Sequence, residues 1–185
     1  MEVQLSKRLM SVNEYHIMAE AGKLTSEDRV ELIQGEILEM SPVGTKHVAT
    51  VDKLTNLLVK VASDAAIIRV QNPVYINDLN EPEPDISVLK PIGDNYADNH
   101  PGGHDTLLVI EVSDTTYHYD KEVKVPLYGS AGIPEYWIIK LDSKEIEVHT
   151  VPAKGGYKKM ELFYPEDKIN LNFCQKSLIV KNLIG

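Results

Sequence analysis

The stretch 107-LLVIEVSDTTYHYDKEVK-124 decides how the rest of the chain is read. Leu107, Leu108, Val109 and Ile110 leave no polar side, so this half reads as a strand buried on both faces. The apolar run ends in Glu111, Val112 follows, and the chain then turns polar. A carboxylate at the tip of such a strand needs a partner, because charges are rarely buried unless paired or bound to metal.

A second carboxylate stands in "EPEPDISV". Asp85 begins a strand there, and Pro82 and Pro84 hold the chain extended on its approach. Side chains alternate along a strand, so Asp85 shares a face with Ser87, and Glu111 shares one with Val109 and Ser113. If the two strands are neighbours, Asp85 and Glu111 converge at one end of a sheet. Two hard oxygen donors in that position suit Mg²⁺, with Mn²⁺ as a substitute, and the backbone carbonyl of Val112 is a candidate third ligand. Lys124 lies on the next helix, four residues after Asp120, a spacing that also describes an ordinary helix-surface ion pair.

The remaining segments fit an α/β (α+β) domain, a central mixed sheet flanked by helices. "SVNEYHIMAEAG" reads as a helix capped by Ser11, with Val12, Tyr15 and Ala19 on one face and Gly22 at its end. "RVELIQGEILEMS" reads as a hairpin turning at Gln34-Gly35. In "KHVATVDKLTNLLVKVAS" a helix stripe of Val48, Val51, Leu54, Leu58 and Val61 is expected to face the core. "AIIRVQNPVYI", "EPDISVLK", "EYWIIKL", "EIEVHTV", "YKKMELFY" and "SLIV" read as strands, and a helix is expected over Tyr119 to Ala131. Tyr136 and Trp137 are expected in the core. Lys46, Lys53 and Lys60 share a helix face, which reads as a solvated surface before a phosphate-tracking stripe. With no repeat or linker, residues 1–185 are expected to form a single domain.

Composition bounds the function. The net charge is −9, from 28 acidic and 19 basic residues, which argues against a general nucleic-acid coat protein but leaves room for a nuclease that uses its acids to hold cations. One cysteine, Cys174, excludes an internal disulfide and a Cys-rich zinc site, and favours a reducing, cytoplasmic setting. The N-terminal "MEVQLSKRLM" has no signal-peptide core, and no run reaches membrane-spanning length. His16, His100, His104, His118 and His149 show no metal-ligand spacing on a common element. No phosphate-cradling glycine loop and no serine or cysteine nucleophile motif is found.

The order "PD…EV…K" resembles the PD-(D/E)XK nuclease superfamily. The blocks "EPEPDISVLKP", "VIEVSDTT" and "YDKEVKVPLYGSAGIPEYWII" resemble the Uma-type family of restriction-endonuclease-like proteins, from about "SVNEY" to "LIVKNLIG". This resemblance implies a restriction-endonuclease-like core with an added N-terminal helix and hairpin and C-terminal strands. It implies Asp85 and Glu111 as metal-binding acids. The superfamily's lysine two residues after the second acid is replaced by Ser113, which makes Lys124 the matching residue and Lys121 its competitor. The resemblance also directs attention to Glu31 in "VELIQGE", open between an additional site acid and a strand residue facing solvent. It also directs attention to the histidine soon after, His47, read first as a polar residue packing near its helix start and second as a site residue, since Mg²⁺ prefers oxygen donors. The implied function is a metal-dependent endonuclease acting on phosphodiester bonds of DNA, duplex by expectation, working as a homodimer away from membranes. The alternative is a non-catalytic nucleic-acid-binding or interaction module that keeps the nuclease fold.

Overall fold

The computed structural model describes residues 7–25 and 27–184. Strand β5 (Thr106–Ser113) is the spine of a six-stranded mixed sheet, and Leu107 is its one half-buried residue. Its neighbours follow from the chain order: β3 (Ile67–Val70), β4 (Ile86–Leu89), β5, β6 (Glu135–Lys140), β7 (Glu145–Ala153) and β8 (Gly156–Phe163) lie side by side in that sequence. Only β5 and β6 run parallel; each other neighbouring pair in the sheet is antiparallel.

A parallel pair needs a crossover, and the crossover here carries Lys124. It runs from a short turn of helix α3 (Tyr117–Tyr119) through a widened, π-type turn over Asp120–Lys124 into α4 (Val125–Ser130). The wide turn has a local cause. Pro126 lacks an N–H and its ring would crowd the carbonyl four residues back, so a regular helix through this point would be broken. Gly129 then lets α4 lie against the sheet, since a Cβ there would come within 2.0 Å of the Gly156 carbonyl oxygen.

Both sheet faces are covered. Helix α2 (Thr45–Ala62) lays Val51, Leu54, Leu58 and Ala62 against Ile86, Ile110, Val112 and Trp137, each side chain of Leu size gaining roughly 1.5–3 kcal/mol by burial. This differs from the expected stripe in one respect. Val48 is 42% exposed, and His47 occupies the inward position instead, in phase with 51, 54, 58 and 62. A hairpin of β9 (Lys168–Leu171) and β10 (Lys176–Ile179), with α5 (Lys181–Ile184), closes the same side, and the Lys53 ammonium reaches the Lys181 carbonyl at 3.4 Å. On the opposite face Val109, Tyr128, Ile133, Tyr136 and Ile138 form a second core. Tyr136 and Trp137 are both fully buried, as expected.

Helix α1 (Val12–Glu20) begins with a capping box in which Ser11 and Glu14 satisfy each other's backbone N–H groups. It buries Val12 alone; Ala19 is exposed, so the expected apolar face is narrower than read. Strands β1 (Val30–Ile33) and β2 (Glu36–Glu39) form the expected hairpin, with Gln34 and Gly35 both at positive φ, the geometry of the favoured two-residue turn. The "PVYI" segment is not a regular strand: among the described residues it makes one isolated bridge, Tyr75 to Gly102. No helix among the described residues is long and apolar enough to cross a membrane.

Candidate active site

The register between β4 and β5 brings the two acids together. Ile86 lies opposite Ile110 and Ser87 opposite Val109, so the same antiparallel pairing carried one residue further sets Asp85 opposite Glu111, on one face. Their hydrogen bonds interlock. Val112 N–H donates to Asp85 Oδ2 at 2.8 Å, and Asp85 N–H donates to Glu111 Oε2 at 3.1 Å. Val112 therefore borders the site, meeting Asp85 through its N–H.

Lys124 projects from the widened turn toward the same sheet end and is 3% exposed. Its Nζ lies 2.5 Å from Glu31 Oε2 and 3.5 Å from Glu111 Oε1. The widened turn sends Lys124 to these two acids, while Asp120 accepts from Ser113 Oγ at 2.6 Å and Thr116 Oγ1 at 2.8 Å. The ordinary helix-surface pairing of Asp120 with Lys124 thus does not describe this helix. Glu31 is 4% exposed, which removes the solvent-facing alternative. It accepts from Tyr119 Oη at 3.0 Å and Glu83 N–H at 3.2 Å besides Lys124.

Electrostatics at this spot run against bare carboxylates. Burial pushes Glu111 up to about 8, Asp85 and Asp120 push the same way, and Lys124 pulls against them. Burial alone would lower Lys124, but Glu111 and Glu31 hold its ammonium above the usual lysine range. Burial likewise raises Asp120, against its two hydroxyl donors. These groups line a cleft of about 400 Å³ with Arg29, Glu83, Asp114 and His47 at its walls.

Two further side chains hold the acids, and of these only Tyr128 escaped the sequence reading. His47 Nε2 lies 2.9 Å from Asp85 Oδ2, and that hydrogen bond raises the imidazole's affinity for a proton. The helix-start packing expected for His47 is thus a specific contact with Asp85, signalled by its phase with Val51, Leu54 and Leu58. Tyr128 Oη donates to Glu111 Oε1 at 3.0 Å, and nothing in an apolar helix sequence marks that.

Lys121 goes elsewhere. Its Nζ bonds Tyr117 Oη at 2.9 Å and lies 3.6 Å from Glu147 Oε1, on β7. Glu147 is 1% exposed; burial works to raise its pKa, but bonds from His149 and Tyr117 and the nearby Lys121 hold it down at about 2. A carboxylate depressed in the folded state stabilises above its unfolded value near 4.5 and loses that contribution as pH falls toward 2. Glu147→Gln is therefore expected to cost about 1–3 kcal/mol at neutral pH and much less at pH 2–3, read by urea melts across that window.

The sequence model of the Uma2 family, described as "Putative restriction endonuclease", matches residues 12–179. The chain belongs to the Uma2 family. Among matching solved structures is one from Anabaena variabilis, described as "a putative nuclease belonging to DUF820". It is 20% identical, with a TM-score of 0.74 over 95% of this chain and 97% of that one, and it shares the fold. No curated protein matches. The α/β sheet with helices on both faces is thus the fold that the Uma2 resemblance implied, and restriction-endonuclease-like families generally work with divalent metals.

Proposed function

We propose that this Uma2 protein is a divalent-metal-dependent endonuclease hydrolysing phosphodiester bonds of duplex DNA. The observation that carries the reading is Lys124 Nζ held between Glu31 and Glu111 while Asp85 stands opposite Glu111 across two sheet strands. The donor chemistry fits a hard cation: adjacent carboxylates, Glu111 buried and Asp85 half-buried, with Glu111 resisting ionisation, gain most from a bound positive charge. Asp85 and Glu111 would hold Mg²⁺ or Mn²⁺, with the Val112 carbonyl as a further candidate ligand, and the ion would supply Lewis-acid polarisation of the phosphoryl oxygen.

The chain's own groups divide the remaining work. The Lys124 ammonium offsets negative charge that grows on the phosphate as a water oxygen bonds to phosphorus and one ester P–O bond breaks. Glu31 positions Lys124 from behind, and Tyr119 fixes Glu31 in turn. His47 and Tyr128 orient Asp85 and Glu111. The cleft sets seven acids, Glu39 among them, against Arg29 and Lys124, so a phosphate approaches favourably only once a cation has neutralised part of that charge. Cutting both strands requires two sites, which a twofold homodimer supplies.

Purified protein is expected to nick supercoiled plasmid with Mg²⁺ or Mn²⁺ and to stop when EDTA is added. Cleavage that persists in EDTA would contradict metal dependence. DNA retention without cleavage under any divalent ion would favour the non-catalytic binding module.

A further inference from the structure

His16, Glu81 and His100 come from three separate segments, and one ligand atom of each lies within 4.8 Å of the other two. Sequence spacing could not reveal this, because no two of them share an element. We propose that these residues form a second metal site, distinct from the cleft, for a divalent transition ion of the Zn²⁺ class.

The geometry of Glu81 is the first support. Its backbone is fixed on both sides by Leu32, with Glu81 N–H to the Leu32 carbonyl at 2.8 Å and the return bond at 3.4 Å. Its side chain is 2% exposed, yet only Oε1 has a partner, His16 Nε2 at 2.7 Å. Oε2 is buried without a hydrogen-bond partner among the described residues. Buried polar atoms are rarely left so, and an unsatisfied one calls for an explanation such as an ion. A His16–Glu81 hydrogen bond alone leaves Oε2 unexplained and gives His100 no reason to be there.

His100 is the second support. Its ring stands edge-on to that of His16, with centroids 5.9 Å apart. The next residue anchors it: the Pro101 carbonyl accepts from Tyr75 N–H at 2.9 Å. Two imidazoles and one carboxylate make a donor set for a first-row transition ion, and nitrogen donors disfavour Mg²⁺. Three protein ligands leave a coordination position for water. None of the three residues lines the cleft. A bound ion would tie α1 and the 91–105 loop to the segment that continues through Glu83 to Asp85.

The test uses full-length protein carrying Asp85→Asn and Glu111→Gln, so that the cleft cannot compete for metal. Titration with Co²⁺ is expected to give one equivalent bound, with a visible absorption band that Zn²⁺ removes. His100→Ala in that background is expected to weaken binding tenfold or more. His100 is exposed, so this variant should fold, which a circular-dichroism melt checks. Zn²⁺ should also raise the melting temperature of the Asp85→Asn/Glu111→Gln protein and leave that of its His100→Ala derivative unmoved. Absence of Co²⁺ binding in the Asp85→Asn/Glu111→Gln protein, or equal binding after His100→Ala, would overturn the proposal. Because the cleft acids are neutralised throughout, neither outcome depends on whether the protein cuts DNA.

Discussion

Asp85→Asn and Glu111→Gln are each expected to lower metal-dependent cleavage by about a thousandfold or more. A correctly held divalent ion contributes several kcal/mol to a phosphoryl transition state, and each 1.36 kcal/mol is worth a factor of ten. Both substitutions keep the shape of the side chain, so the fold should survive. Glu111→Gln should in fact melt at or above the parental temperature without metal. Its carboxylate is 7% exposed and faces Asp85, so replacing it removes a repulsion, while Lys124 keeps Glu31 as its partner. The same variant should lose the stabilisation that Mn²⁺ gives the parent. Metal-dependent cleavage at the parental rate by either variant would exclude these acids from the chemistry.

The second large effect concerns Lys124. If its ammonium stabilises charge in the transition state without ligating the ion, Lys124→Ala should cut at about a hundredth of the parental rate or less, ~3 kcal/mol, with Mn²⁺ affinity nearly intact. Some loss of stability will accompany it, because Glu31 and Glu111 are left buried without their cation. Lys124→Arg separates the two effects. It restores the charge, but a planar guanidinium cannot copy a compact ammonium in a space already bounded by Tyr119 and Tyr128, so rescue of the rate should be incomplete. Lys121→Ala is the control. Its side chain points to Tyr117 and Glu147, and the variant should cleave at the parental rate while losing some stability. The reverse pattern, an inactive Lys121→Ala and an active Lys124→Ala, would transfer the role.

Much of this arrangement is legible in the chain because it depends on short-range regularities. An unbroken apolar run announces β5, and alternation along two strands is enough to face Asp85 toward Glu111 once they pair. The hairpin follows from Gln34-Gly35 for the same reason. What failed to show depends on how elements rotate and dock. A turn of the α2 helix by one position exchanges Val48 for His47 on the core side, and the apolar stripe alone does not fix that rotation. Glu31 looks equally like a solvated strand residue until the 117–130 crossover covers the hairpin and supplies Tyr119 and Lys124. The widened turn at Asp120–Lys124 has a visible signal in Pro126, but a regular i, i+4 reading hides where Lys124 is sent. His16, Glu81 and His100 are 65 and 19 residues apart in sequence, beyond any local pattern.

Asp85 and Glu111 are proposed to share one divalent cation at the end of β5. Anomalous diffraction from crystals grown with Mn²⁺ tests it directly. A peak is expected roughly 2.0–2.6 Å from a carboxylate oxygen of each of Asp85 and Glu111, with the Lys124 ammonium nearby and uncoordinated. A fully occupied crystal with manganese only at other residues, and with Asp85 and Glu111 still bonded as they are without it, would contradict it.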